Sequence, residues 1–174
     1  MIERFIEELH TNACVVHGPM EIGVARRVIV ERARAAGATV ACNGDVAVPA
    51  LVHDLRDAGL DVCTAEEAAW STRLAGADAG ITGARIAVAD PAAIGLAAAP
   101  GSPRATSLVP HTHLCVLRVA DVVPTLADAF AQVVERGLPS ALTWISGPSR
   151  TGDLEMILTL GVHGPRAVEV VLLA

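Results

Sequence analysis

The chain has no lysine: all 13 basic residues among its 174 are arginine. That excludes Schiff-base lysine chemistry and a lysine-bearing phosphate loop. It leaves anion binding open, because a guanidinium presents a fixed fork of donors matched to carboxylate and phosphate. Aromatics are nearly absent too, limited to Phe5, Trp70, Phe130 and Trp144, so any core must be aliphatic. Charge is sparse at 18%, and 19 acidic residues against 13 basic ones leave a net charge of −6. This balance opposes a sequence-independent grip on nucleic acid or on an anionic membrane. The four cysteines, Cys14, Cys42, Cys63 and Cys115, are scattered without a C-x-x-C pair to hold zinc or an iron–sulfur cluster. No G-x-G-x-x-G fingerprint follows a candidate strand, and neither a G-x-S-x-G elbow nor a local Cys/His signature is present. No cofactor is therefore expected, and covalent hydrolase chemistry is disfavoured. The first residues lack a signal-peptide layout, and no apolar run approaches the roughly 20 residues of a membrane span, so the expected compartment is the cytoplasm.

What is there is aliphatic and periodic. Apolar residues make up 52% of the chain, and its length suits one domain over residues 1–174. The apolar excess permits a homo-oligomer without requiring one, because a parallel sheet buried on both faces uses it equally well. Ile2, Phe5, Ile6 and Leu9 fall at helical spacing, and residues 13–17 read as a short strand. Pro19 suits the start of a helix and Gly37 its end, with a second strand over 39–42. A helix over 48–58 and a strand over 60–63 follow, and Thr64-Ala65-Glu66-Glu67 resembles a capping box for the next helix. Residues 77–81, 85–89, 114–119, 141–145 and 168–173 are β-capable, and helices are expected over 124–136 and from about Asp153 to Leu160. Strand-then-helix order implies parallel strands joined by helical crossovers. The expected class is α/β, Rossmann-like, with a largely parallel sheet and helices on both faces.

Chemistry concentrates in two loops. Ser146-Gly147-Pro148-Ser149-Arg150-Thr151-Gly152-Asp153 lies between an expected strand and an expected helix, and open α/β sheets bind ligands at the carboxyl ends of strands. Gly147 permits unusual dihedrals, Ser146, Ser149 and Thr151 offer hydroxyls, and Arg150 offers a guanidinium beside helix N-terminal donors. Together they form a candidate anion cradle, although Ser149, Thr151 or Asp153 could equally serve as a helix cap. In Gly161-Val162-His163-Gly164-Pro165-Arg166, His163 is a candidate proton shuttle and Gly164 a candidate ligand contact; the competing reading is a helix stop and a turn. Glu155 is a second candidate for moving a proton. Thr82 and Gly83, in a turn expected at the same sheet edge as the cradle, are further ligand-binding candidates. His111 and His113 are spaced to share one strand face, but with no third ligand apparent no metal site is expected.

Several stretches together resemble the lactate-utilisation protein C family, also called the LUD domain: residues 77–84, Ser107 through His113, Leu138-Pro139-Ser140, and above all Ile145 through Pro165. The resemblance implies a fold similar to the sugar-phosphate isomerase, CoA-transferase and formyltetrahydrofolate cyclo-ligase group. It implies an accessory role in oxidation of L-lactate to pyruvate, beside iron–sulfur partner proteins; the candidate cradle adds a small carboxylate or phosphate as the expected ligand. The alternative is a stand-alone enzyme or anion-binding domain acting on a phosphorylated or CoA-linked metabolite. Relatives usually carry a Thr-Gly-Thr type turn near position 90, where this chain reads Asp90-Pro91-Ala92-Ala93, and often an alanine where it has Gly152.

Overall fold

A computed structural model describes residues 1–152, 158–160 and 163–174, with the backbone alone at 150–152 and 158–160. Its centre is a six-stranded, wholly parallel sheet in the order β1-β12-β7-β4-β2-β3. These strands are β1 (Val15–Met20), β2 (Thr39–Cys42), β3 (Asp61–Thr64), β4 (Ala79–Gly83), β7 (Thr112–Arg118) and β12 (Ala167–Leu173). The inner strands read as continuous apolar runs because both faces are covered: all five residues of β4 are buried, and so are the last six of β12.

On one face lie α2 (Ile22–Ala36) and α3 (Leu51–Asp57). Ala25, Ile29 and Ala33 recur every fourth residue, so α2 turns one stripe inward, and with Leu51 and Leu55 it covers Val40, Ile81, Leu114, Val116 and Val171. Across the sheet, α1 (Ile2–Thr11) inserts Phe5 and Leu9 against Cys115, Leu117, Val170 and Leu172. Beside it, Leu74 of α4 (Trp70–Ala75) covers Ala41 and Cys63. The α/β class with helices on both faces thus holds.

The same face also carries a second sheet that the sequence pattern did not suggest. It has the order β8-β5-β6-β9, formed by β5 (Ile86–Val88), β6 (Ala93–Ala98), β8 (Val122–Val123) and β9 (Ala141–Ile145). Ala87, Ile94 and Leu96 turn toward the large sheet, while Ile86, Val88 and Val123 turn outward to Ala129 and Val133 of α5 (Leu126–Glu135). The layers are therefore helix, parallel sheet, mixed sheet and helix, and the interval between the sheets is where the site forms.

Local expectations are corrected at three points. Pro19 lies inside β1 rather than at the head of α2, which starts at Ile22 after Glu21. Glu67 does accept from the Thr64 backbone N–H at 3.3 Å, but α4 begins only at Trp70, so this half of a capping box closes a turn. Leu158–Leu160 (β11) is a strand pairing antiparallel with Arg150–Gly152 (β10), so the helix expected to reach Leu160 is replaced there by extended chain. Asp153 and Glu155 lie outside the described residues.

Ala13 follows α1 with φ +62° and is exposed, at a helix end where a left-handed glycine is usual. Ala13→Gly is expected to stabilise the chain by about 0.5–1 kcal/mol, because it relieves the Cβ clash of that conformation. A lower midpoint in urea for the variant would contradict this.

Candidate functional site

A cavity of about 210 Å³ opens between the two sheets. Its walls come from the loop after β9 (Ser146, Gly147 and Ser149), from the turn before β12 (His163, Gly164 and Pro165), and from His113 and Val168 near the starts of β7 and β12. Ser107 and Leu108, at the end of the 3-10 turn Arg104–Ser107, close one side, and Trp144 and Ile145 of β9 another. The two loops singled out in the sequence therefore meet in one place. The Ser149 N–H donates to the Pro165 carbonyl at 3.0 Å, and a Cβ on Gly164 would press on that of Ser149.

Its position differs from the expectation. The loop does follow the carboxyl end of a strand, but that strand belongs to the small mixed sheet. Relative to the large sheet the cavity sits at the amino ends of β7 and β12, where Val168 pairs with His113. Thr82 and Gly83 close the opposite end of β4, so that turn does not share an edge with the cradle. The Gly83 N–H donates to Asp45 Oδ1 at 3.0 Å in a separate small cleft with Asn43 and Ser102, and burial pushes the Asp45 carboxyl up. Thr82 stands behind the cavity, its Oγ1 2.8 Å from His113 Nε2.

Gly147 is required by its surroundings. Its φ of +136° favours glycine, and a Cβ would overlap the Asn12 carbonyl oxygen at the end of α1. Ser146 serves as a strut: its hydroxyl accepts from Asn12 Nδ2 at 3.1 Å and donates toward the Pro91 and Ala92 carbonyls at 3.4 and 3.2 Å. The altered turn thus reaches the site through two backbone carbonyls. Asp90 instead pairs with Arg4 at the surface, 2.5 Å away. Ala92 adopts φ +57°, a left-handed conformation that glycine fits better. Arg150 and Thr151 lie in β10, where only the backbone is described.

His113 is the residue that spacing arguments undervalued, having been weighed only as half of a metal pair. His111 falls before β7 and is exposed, whereas His113 is 1% exposed. Burial pulls its pKa down to about 4, so the ring is neutral at physiological pH. Its Nε2 is held by Thr82, while Nδ1 has no hydrogen-bond partner among the described residues. An unsatisfied buried nitrogen costs about 1–3 kcal/mol. The four cysteines are buried as well, and burial pushes the Cys42 and Cys115 thiols up to about 12.

The LUD domain model matches residues 2–173. The chain belongs to the LUD domain family. Among curated relatives, the Lactate utilization protein C of Deinococcus radiodurans is 39% identical over 117 residues, covering 65% of this chain and 54% of that protein. The Lactate utilization protein C of an Exiguobacterium species is 42% identical over 101 residues, or 55% of this chain and 44% of that protein. The chain thus spans about half the length of the curated relatives it matches. A crystal structure of a DUF162 family protein from Deinococcus radiodurans superposes with a TM-score of 0.69 at 25% identity, covering 99% of this chain and 96% of the other. Among the described residues, no helix is long and apolar enough to cross a membrane, and no three His, Cys, Asp or Glu side chains are grouped to hold a metal.

Proposed function

We propose that this LUD domain chain acts in L-lactate utilisation, beside iron–sulfur partner proteins in the cytoplasm, and that the cavity between its sheets holds a small carboxylate. The observation that carries the reading is the convergence of Ser146–Ser149 and His163–Pro165 on one cavity, in a chain whose relatives are named Lactate utilization protein C. The cavity is smaller than the roughly 300–1,000 Å³ that encloses drug-sized ligands, so it suits a ligand of a few heavy atoms. In this reading electron transfer belongs to the iron–sulfur partners; the Cys42 and Cys115 thiols here are buried and pushed up to about 12. Arg150, which the phosphorylated or CoA-linked alternative would use to hold its anion, lies in β10, paired with β11.

Two measurements test the proposal. Deleting the gene should abolish L-lactate-dependent reduction of an electron acceptor in host extracts, and restoring the chain should recover it. The purified chain should melt at higher temperature with millimolar L-lactate or pyruvate, and less so with inorganic phosphate or coenzyme A. Undiminished lactate oxidation in the deletion strain would overturn the role; stabilisation by phosphate or coenzyme A alone would overturn the ligand class.

A further inference from the structure

We infer that the chain has a second ligand site, at the carboxyl ends of β2 and β4, where Arg104 takes the anionic group of a small hydroxylated metabolite and Asp45 accepts from its hydroxyl. This site stands apart from the cavity proposed above and does not depend on it. Topology marks the place. From β2 the chain leaves through α3 to β3, whereas from the neighbouring β4 it leaves through the small sheet, on the opposite face, to β7. Connections that part in this way open a crevice between the strand ends, and open α/β sheets bind ligands in such crevices. Here a narrow cleft of about 10 Å³ lies among Asn43 and Asp45 after β2, Thr82 and Gly83 ending β4, and Ser102 and Arg104 after β6.

The surroundings are polar where a core would be apolar. Seven polar or charged residues are buried among those described, and Asn43, Thr82, Ser102 and Ser107 of this cleft are four of them. A fifth, Thr106, donates to Asn43 Oδ1 at 2.6 Å, and the Gly44 N–H donates to the Gly101 carbonyl at 2.9 Å, so the two loops are clamped together. Asp45 is tied to the same floor: its carboxyl accepts from the Gly83 N–H at 3.0 Å and from the Ser102 hydroxyl. A carboxylate offers about four acceptor positions, so capacity remains for a ligand hydroxyl. Asp45 is the only acidic residue of the lining and Arg104 the only basic one, yet they form no ion pair, and Arg104 has no carboxylate partner among the described residues. Two opposite charges thus border one cleft and stay apart, a spacing that a ligand bearing both an anion and a hydroxyl bridges. The cleft admits about one water-sized group, which suits the hydroxyl. The anion belongs at the rim, where Arg104 is exposed and its guanidinium offers a planar fork of donors.

Titration of the full chain, labelled with nitrogen-15, with two pairs of anions tests the site: glycolate against acetate, and glycerol 3-phosphate against inorganic phosphate. Within each pair only the first carries a hydroxyl. At least one hydroxylated anion is expected to bind tenfold or more tightly than its bare counterpart and to shift the Gly83 amide and Arg104 Nε–H resonances. Which one does so names carboxylate or phosphate as the anion. Arg104→Ala should weaken that binding at least tenfold while the hydroxylated member keeps its lead, and Asp45→Ala should erase the lead. Should Asp45→Ala fail to fold, the Gly83 shift in the unaltered protein still decides. Equal binding within both pairs, no binding at all, or binding that moves Ser149 and Gly164 in place of Gly83 and Arg104 overturns the site. L-lactate in the same titration keeps the two sites distinguishable, because shifts at Ser149 and Gly164 report the cavity between the sheets whatever the outcome at Gly83 and Arg104.

Discussion

Acidification from about pH 6.5 to about pH 4 is expected to remove about 3 kcal/mol of stability, with His113 as the main source. Burial lowers the pKa of its ring from 6.5 to about 4 in the folded state, so across that interval the unfolded chain takes up a proton that the folded chain refuses. The stabilisation is fully present above the unfolded value and is lost as pH falls through the folded one. Glu169 extends the loss to lower pH. Burial would push its carboxyl up, but hydrogen bonds from Arg32, at 2.8 and 2.9 Å, and from His17, at 2.7 Å, outweigh that and hold it below the usual range. That ion cluster ties β1, β12 and α2 together until the carboxylate is protonated. Unfolding free energies from urea titrations across the range should fall in the parent protein and flatten between about pH 6.5 and 4 in His113→Asn. Parallel slopes for the two proteins would show that the imidazole is not responsible.

The strand–helix alternation was legible because it rests on local periodicity. Ala141–Ile145 and Thr39–Cys42 form the strands their residues suggest, and α5 ends before Gly137, whose φ is +89°. The second sheet was not legible. Ala93–Ala98, for which no strand is expected from the pattern, becomes β6 through its pairing with β5 on one side and β9 on the other. Strand formation there follows from cross-strand neighbours rather than intrinsic preference. Arg150-Thr151-Gly152 was read as a helix entry because hydroxyl and acidic residues ahead of an apolar run usually cap helices; pairing with Leu158–Leu160 overrides that preference. At the site, the glycine-rich loops announced themselves through unusual local composition. His113 did not, because its significance comes from Thr82 on a neighbouring strand and from the cavity wall it shares with Trp144 and Ile145 of the small sheet.

The second large effect is expected at Gly80, beside His113 in the register of β4 and β7. A Cβ at this position would overlap the backbone carbonyl oxygen of Thr106 and press on Pro110. Absence of a side chain is what lets the 3-10 turn Arg104–Ser107 lie directly on β4, and that turn carries Ser107 and Leu108 to the cavity wall. Gly80→Ala must lift the turn or bend the central strand. Neither yields cheaply, since β4 is fully buried and paired on both sides, so the cost should reach about 3 kcal/mol. Gly23→Ala is the internal control. Nothing lies within 4 Å of a Cβ there, and the residue is exposed in the first turn of α2, so the change should be neutral or stabilising by up to about 1 kcal/mol. Urea denaturation of the three proteins should place Gly80→Ala well below the parent and Gly23→Ala at or above it. If Gly80→Ala folds, its displaced turn should weaken L-lactate binding. A Gly80→Ala protein as stable as the parent would mean that the turn does not rest on β4, and the cavity wall built from it would have to be redrawn.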